Sequence, residues 1–295
     1  MNFETKSPRS DGRGRSQEDL RTHVHGMWAA VARGWAEHAD YADERGAEIG
    51  QRLLELADPR PGERVLELAC GPAGLGLSAA QRVLPGGVVV VSDFVAEMTT
   101  IAATRAAAMG AVNVEARLLD VEAIAEPDSS YDVVLCREGL MFATDLPRAG
   151  AEIARVLRPG GRVAIAVWGP RSRNPWLGLV LDVVSAQVGR PVPPPGLPGP
   201  FALEDAERLA DLLSGAGLSD VSVGEVAAPL RAASFDEWWT RTAALAGPVS
   251  QLLSALPADA RQQVRRRARD AARPYLTADG LVFPGVSLVA SARRP

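Results

Sequence analysis

Short apolar runs alternate with amphipathic stretches along the middle of the chain, between residues 61 and 170. The runs are apolar at nearly every position rather than at every second one, which predicts strands covered on both faces. Five such strands are predicted: Arg64–Leu68, Val88–Ser92, Val114–Leu119, Tyr131–Cys136 and Arg162–Trp168. The stretches between them have helical spacing, at Gly74–Val83, Ala96–Met109 and Leu146–Leu157. This alternation predicts an α/β protein with a mostly parallel, doubly wound, Rossmann-like sheet.

The segments on either side of this core are predicted to be largely helical. Residues 1–21 are rich in Ser, Gly and Arg and are expected to be a disordered leader. Residues 22–60 are predicted to form a helical lid. One face of that lid carries Trp28, Val31, Trp35 and His38.

Residues 171–295 are predicted to complete a seven-stranded sheet and to add a helical cap. The sixth and seventh strands are expected at Asp220–Val226 and Leu281–Ala292. Between them, Ser234–Ala272 reads as helical and is too long for a hairpin loop, so it is predicted to form the cap before the last strand.

The composition excludes several classes of protein. Lys and Arg number 32 against 36 Asp and Glu, and the arginine run from Arg265 to Arg269 has no aromatic residues interleaved. A nucleic-acid partner is therefore disfavoured, and the run is interpreted as a solvated helix face. Cys70 and Cys136 have no metal-ligand spacing, and the sequence contains no signal-peptide pattern and no membrane-length apolar run. We expect a reduced, cytoplasmic protein, monomeric or homodimeric, without a metal or a membrane partner.

The turn after the first predicted strand, in VLELACGPAGLGL (Val65 to Leu77), is rich in glycine. Such turns often hold phosphates, but these glycines begin too late for a dinucleotide-binding G-x-G-x-x-G, and no G-K-[ST] follows for a P-loop. Glu67, Asp93 and Asp120 each stand at the end of a predicted strand. Three carboxylates at three strand ends suit a nucleoside with a positively charged amino-acid tail, with Asp93 placed to accept from ribose hydroxyls.

Several motifs together resemble the class I S-adenosylmethionine-dependent methyltransferases, in particular the small-molecule branch that includes the ubiquinone and menaquinone biosynthesis C-methyltransferases. They are VLELACGPAGLGL, VVVVSDFVAEM, ARLLDVEAI, SSYDVVLCREGLMF and AEIARVLRPGGRVAIAVWG. The resemblance extends from about Gly62 to Gly169. Ala69 and Ala73 stand where the family has the first and third glycines of G-x-G-x-G, which alanine tolerates where the backbone stays at negative φ.

The resemblance implies S-adenosyl-L-methionine as the cofactor and S-adenosyl-L-homocysteine as the product. It assigns the methionine portion to the backbone of Ala69, Cys70 and Gly71. It assigns the ribose to Asp93, adenine to Met98, and the adenine edge to Asp120 and Val121. Glu67 would orient the turn or reach the amino group through water, and the remaining candidates for this pocket are Phe94 and Arg137. Two alternatives stay open, namely Asp93 as a helix N-cap and Met98 as core packing.

The acceptor is predicted to be a small, largely apolar molecule, quinone-like or a secondary metabolite, methylated on oxygen or carbon. No N-P-P-Y-like stretch follows the fourth strand, which weighs against methylation of amide or nucleobase nitrogen. The candidate pocket residues are Trp28, Trp35, Met141, Phe142, Trp168 and Trp176. In an alternative interpretation these tryptophans, with Trp238 and Trp239, only pack the cap against the core.

Methylation of oxygen requires the removal of a proton, and His38 and Glu138 are the candidate bases. Methylation of an already acidic carbon needs no base. A protein that binds the cofactor without transferring the methyl group, as a regulator or scaffold or for other chemistry, is the alternative function.

Overall fold

The N-terminal part of the chain folds as four helices. The computed structural model describes residues 17–194 and 196–295. The helices are α1 (Gln17–Ala29), α2 (Ala32–Glu37), α3 (Ala39–Arg45) and α4 (Ala47–Ala57). Residues 17–21 are thus helical rather than disordered, and the rest of the predicted leader lies outside the described residues. Glu18 and Asp19 stabilise the positive end of the α1 dipole, and Arg21 pairs with Asp120 of the core.

The middle of the chain contains the five strands and three helices that the apolar pattern predicts. They are β1 (Arg64–Leu68), α5 (Gly74–Arg82), β2 (Val88–Asp93), α6 (Ala96–Ala108), β3 (Val114–Leu118), β4 (Tyr131–Arg137), α7 (Leu146–Val156) and β5 (Leu157–Trp168). Every bound except one agrees with the prediction to within one residue. The exception is β5, which starts directly after α7 because Leu157 already pairs with Tyr131 of β4.

The C-terminal part adds helices and a second, smaller sheet. Its elements are α8 (Pro175–Val188), α9 (Ala206–Gly215), β6 (Ser219–Ala227), β7 (Leu230–Ala232), α10 (Phe235–Leu245), α11 (Gly247–Ala255), α12 (Ala258–Ala272), β8 (Leu276–Thr277), β9 (Gly280–Phe283) and β10 (Val286–Arg293). The predicted cap is therefore three helices. Pro248 at the start of α11 and Pro257 before α12 interrupt the helical backbone, because proline cannot donate within a helix.

The single last strand predicted at Leu281–Ala292 is wrong, because the structure divides it into β9 and β10. Pro284 and Gly285 separate the two strands, and a Cβ on Gly285 would lie 2.0 Å from the carbonyl oxygen of Ala228. The close approach holds the chain in a bend at that point. As a result β9 joins β7 and β8 in a three-stranded antiparallel sheet, and only β10 enters the main sheet.

The main sheet has seven strands in the order β3-β2-β1-β4-β5-β10-β6. β1 pairs in parallel with β2 on one side and with β4 on the other, whereas β10 runs antiparallel to both of its neighbours. The predicted Rossmann-like, mostly parallel architecture is confirmed. The strand order reverses between β1 and β4, and in sheets of this kind ligands bind beyond the carboxyl ends of the strands at such a point.

Two hydrophobic clusters cover the faces of the main sheet and a third fills the cap. Leu66 and Val134 belong to the cluster on one face, and Val65 and Val133 to the cluster on the other, so β1 and β4 are buried on both sides. The cap cluster centres on Trp238 and Phe283. Among residues 17–194 and 196–295, no helix is both long and apolar enough to cross a membrane.

Candidate functional site

A cleft opens at the carboxyl ends of the parallel strands, between the sheet and the helices that cover it. Glu67 in β1, Asp93 in β2, Arg137 in β4 and Trp168 in β5 all line it. The opposite wall comes from the N-terminal helices α1 to α3 and from α8, α10 and α11 of the cap. The fold therefore brings the strand ends and both flanking helical segments together around one cavity.

The turn after β1 is tightly wound, with alternate residues in the left-handed region. Ala69, Gly71 and Ala73 have φ angles of 50°, 51° and 64°. The expectation that the two alanines stay at negative φ is therefore wrong, and each costs about 1 kcal/mol relative to glycine in that conformation. The backbone N–H of Cys70 donates to the carbonyl of Ser92 over 2.8 Å, which holds the turn against the end of β2.

Glu67 is a buried carboxyl beneath this turn. Its side chain accepts a hydrogen bond of 2.9 Å from the backbone N–H of Gly76 in α5, and the residue is only 1% exposed. Burial raises the pKa of Glu67 from 4.5 to about 8, against the opposing charge of Arg137. The group is therefore largely protonated at neutral pH in the free protein and can ionise when a positive charge comes close.

Asp93 both holds the backbone through hydrogen bonds and lines the cleft. One carboxyl oxygen accepts from the N–H of Gly71 and the other from the N–H of Val95, each at 3.0 Å. Burial raises the pKa of Asp93 from 3.8 to about 6, although these backbone hydrogen bonds oppose the shift. The N-cap of α6 is Val95, so Asp93 is not the N-cap itself, although it orders the chain just before the helix. Asp93 also lines the cleft, and its carboxylate has lone pairs left to accept further hydrogen bonds.

Phe94 and Met98 continue the cleft wall beside Asp93. Met98 is 3% exposed and packs with Ala32 and Val95, so it serves as core packing and as lining at once. Cys70 is a free, buried thiol that also lines the cleft, and burial holds its pKa well above the ordinary value.

Several residues singled out in the sequence lie away from the cleft. Asp120 pairs with Arg21 of α1, and neither Asp120 nor Val121 is among the described residues that line the cavity. His38 is half-buried at the junction of α2 and α3, outside the lining. Met141 is fully buried in the core below, and Trp239 stacks on Phe235 at the cap surface.

Glu138 follows β4 and faces the cleft. Its φ of 57° is unusual for a residue with a side chain, and such strain persists only where the surroundings hold it. Here its N–H donates to the carbonyl of Ala166 over 2.8 Å, and its carboxylate accepts from the hydroxyl of Ser287 over 2.9 Å. Arg45 of α3 lies 3.6 Å from the same carboxylate. The structure thus brings Glu138, but not His38, to the cavity.

Aromatic rings from the sheet and from the covering helices line much of the cleft. Trp28 meets Phe142 edge to face at 4.8 Å between ring centroids, and Trp168 meets Trp176 in the same way at 4.8 Å. Trp35 and Trp238 also line the cleft. Five of the six proposed pocket residues therefore lie together, and the rings contribute both to packing of the cap on the core and to the cavity surface.

Four polar lining residues were missed in the sequence. Tyr41 and Arg45 come from α3, and Arg241 and Thr242 come from α10. The guanidinium of Arg241 stacks on Tyr41 at 3.7 Å, and that of Arg45 lies 4.5 Å from the centre of the Trp176 ring. No local pattern signals these residues, because α3 and α10 meet only in the tertiary structure.

A family model described as a methyltransferase domain matches residues 65–161, which contain the turn, β1 to β4 and most of the cofactor-side lining. The chain is 35% identical over 182 residues to nocamycin O-methyltransferase of Saccharothrix syringae, covering 59% of this chain and 65% of that protein. It is 35% identical over 140 residues to demethylmenaquinone methyltransferase of Thermus thermophilus, covering 47% and 61%. The matched segments thus span less than two thirds of each relative.

Solved structures share the fold at low sequence identity. The YcgJ protein of Bacillus subtilis superimposes with a TM-score of 0.57 at 19% identity, over 83% of this chain and 97% of that one. A phosphoethanolamine N-methyltransferase of Haemonchus contortus, solved with S-adenosylhomocysteine, gives a TM-score of 0.55 at 16% identity, over 96% and 61%. These two structures therefore share the fold over 83% and 96% of this chain.

Proposed function

We propose that this chain is a class I S-adenosylmethionine-dependent methyltransferase, which transfers a methyl group to a small-molecule acceptor held between the sheet and the cap. The observation that carries this proposal is the single cleft that joins two chemically different walls. One wall has buried carboxyl groups and a glycine turn at the strand ends, and the other has aromatic rings and arginines.

The residues at the strand ends fit S-adenosylmethionine. The buried carboxyl of Asp93 has lone pairs left for ribose hydroxyls, and Phe94 and Met98 provide an apolar slot for a base beside it. Gly71 leaves open the space that a Cβ would occupy, since the nearest atom, in Trp35, lies 4.0 Å away. Glu67 would hold the amino group, because a nearby ammonium favours the ionised carboxylate.

The expected adenine contacts of Asp120 and Val121 remain a prediction, since Arg21 already occupies the carboxylate of Asp120. Arg137 would act by holding the lid, because its guanidinium lies 3.5 Å from Asp43 of α3 and donates to the carbonyl of Gly46 over 3.4 Å.

S-Adenosylmethionine supplies a methyl group that its sulfonium already activates, so the protein has mainly to align the acceptor and exclude water. The aromatic wall would hold the body of the acceptor by burying its apolar surface. Glu138 is the residue placed to accept a proton from an acceptor hydroxyl, and its contacts with Arg45 and Ser287 would fix the orientation of the carboxylate. His38 is the weaker candidate, since it lies outside the lining.

The proposed acceptors are quinone-like molecules or secondary metabolites, methylated on oxygen or carbon. The two named relatives support this range, because one is an O-methyltransferase of nocamycin and the other acts on demethylmenaquinone.

Two measurements on the purified protein test the proposal. Calorimetric titration with S-adenosylhomocysteine should show one site, and labelled methyl transfer should be detectable with at least one member of a panel of phenols, enols and hydroquinones. Absence of binding would contradict the cofactor assignment. Binding without transfer to any member would favour the alternative of a cofactor-binding protein that does not methylate.

A further inference from the structure

Four residues that line the cleft each contain a buried side-chain N–H donor with no hydrogen-bond partner. These donors are Nε of Arg45, Nε of Arg241, and Nε1 of Trp168 and of Trp238. In the part of the chain that the structure describes, only two other buried side-chain atoms share this condition, on Asp43 and Tyr131, and neither residue lines the cleft. Among the described residues that line the cleft, the buried side-chain atoms without a hydrogen-bond partner are thus all donors.

An unsatisfied buried donor is costly, typically about 1–3 kcal/mol and more when the group is charged. Native structures therefore leave such groups unpaired mainly where a ligand or water completes them. Donors alone can be completed only by acceptor atoms, and in a small organic molecule these are chiefly oxygens.

Two of the four donors belong to arginines held in fixed positions. Arg45 and Arg241 are 15% and 16% exposed at their side chains, and each has an aromatic ring beside its guanidinium plane. Each also shares a terminal nitrogen with a carboxylate, Glu138 for Arg45 and Glu237 for Arg241. The Nε edges remain free, and a positioned, desolvated guanidinium edge binds an anionic oxygen more strongly than a neutral one.

We propose that the methyl acceptor carries an acidic oxygen, a carboxylate or an ionised enol, which is held by Arg45 and Arg241 while its apolar body rests on Trp168, Trp176 and Trp238. This inference rests on the proposed function and sharpens the expectation of a largely apolar acceptor. An acceptor that is already ionised needs no base at that oxygen, so Glu138 then serves to orient Arg45.

Binding of matched acids and neutral isosteres tests the proposal without turnover. The probes are naphthoate against naphthamide, and hydroxynaphthoquinone against its methyl ether, titrated at neutral pH with tryptophan fluorescence and calorimetry as readouts. We expect at least one acid to bind about 10-fold or more tightly than its neutral partner, because a charge-assisted hydrogen bond is lost with the neutral probe. The two pairs distinguish a carboxylate from an enolate site.

Substitutions test whether Arg45 and Arg241 cause the preference for acids over neutral probes. Arg45→Gln and Arg241→Gln should each reduce the acid-over-neutral ratio, whereas Arg266→Gln, on the exposed face of α12, should keep it. Circular dichroism checks that each variant is folded, and the comparison of probes on the parent protein stands even if a variant is not.

The proposal is overturned if neutral probes bind as tightly as the acids or if both arginine variants keep the preference. It is also overturned if no acid binds at concentrations up to about 10 mM. Titration with S-adenosylhomocysteine tests the proposed function independently of the acid preference. A protein that binds it but shows no acid preference refutes only this inference, whereas one that does not bind it refutes the proposed function.

Discussion

Two carboxyl groups at the strand ends determine the charge of the cofactor side of the cleft. Asp93 and Glu67 are both buried, and burial raises the pKa of each, to about 6 and about 8. Both carboxyl groups therefore change protonation near neutral pH, but on opposite sides of pH 7. Asp93 is mostly ionised at pH 7 and ready to accept hydrogen bonds, whereas Glu67 becomes ionised when a cation approaches.

Substitution of Asp93 should weaken binding of S-adenosylhomocysteine. Asp93→Ala removes hydrogen bonds to a charged acceptor and should cost about 1.5–3 kcal/mol, and Asp93→Asn less, because its carbonyl still accepts from one hydroxyl. In the parent, affinity should fall as the pH drops through about 6, where the free carboxylate becomes protonated. Calorimetry at several pH values checks both points. An unchanged affinity of Asp93→Ala would show that the ribose lies elsewhere.

Gly71→Val should abolish cofactor binding in a folded protein. The residue has a φ of 51°, and a side chain there would enter the space open toward Trp35. Gly110→Val is the matched control, because Gly110 also has a positive φ, 65°, but lies in a turn where nothing surrounds an added Cβ. Both variants should lose about 1–2 kcal/mol of stability from backbone strain, and only Gly71→Val should lose the ligand. Equal affinities in the two variants would mean that the turn does not touch the cofactor.

At the scale of elements, the cleft depends on how the N-terminal helices dock on the cap. The indole N–H of Trp35 in α2 donates to the carbonyl of Leu245 at the end of α10 over 3.0 Å. Gly34 allows this contact, because a Cβ there would lie 2.3 Å from the carbonyl oxygen of Ala244. Glycine disfavours an isolated helix, but at position 34 the close packing of α2 against α10 requires it.

Gly34→Ala should therefore destabilise the protein despite its better helix propensity. Overpacking against the α10 backbone should cost about 1–3 kcal/mol. Gly26→Ala in α1 is the control, since no atom lies within 4 Å of an added Cβ, and it should stabilise the protein by up to about 1 kcal/mol. Denaturant unfolding of both variants gives the comparison. A gain in stability for Gly34→Ala would contradict the close approach of α2 and α10.

At the scale of the whole molecule, the buried carboxyl of Glu67 makes stability depend on pH. In the unfolded chain Glu67 loses its proton near pH 4.5, whereas in the folded protein it keeps the proton up to about pH 8. The folded state therefore binds more protons in this window, and stability falls as the pH rises through it. The nearby charges that act on the group are Arg137, which opposes the shift, and Asp43 and Asp93, which add to it.

Glu67→Gln should remove much of this dependence, because glutamine stays neutral and can still accept from the N–H of Gly76. The free energy of unfolding, measured between pH 5 and pH 8, should decline less in Glu67→Gln than in the parent. Glu97→Gln, an exposed position on α6, should decline as the parent does. The same slope in all three proteins would show that Glu67 is ionised in the folded state throughout.

The apolar runs alone determined the core of this protein. Each of β1 to β4 is close to its predicted position, because a strand buried on both faces must be apolar at consecutive positions, and that requirement is local. Carboxylates at strand ends were visible for the same reason, since the end of an apolar run marks the edge of the sheet. The two central acids, Glu67 and Asp93, consequently lie in the cleft as expected.

Only the tertiary structure decided what faces these acids. Arg45 and Arg241 come from helices far apart in the chain, Asp120 is occupied by Arg21 of α1, and β9 leaves the main sheet at a bend. The turn likewise holds Ala69 in a left-handed conformation that its sequence disfavours. These features depend on contacts between segments that are distant in the chain. Such contacts override the local conformational preference, and no short stretch of sequence contains both partners of the contact.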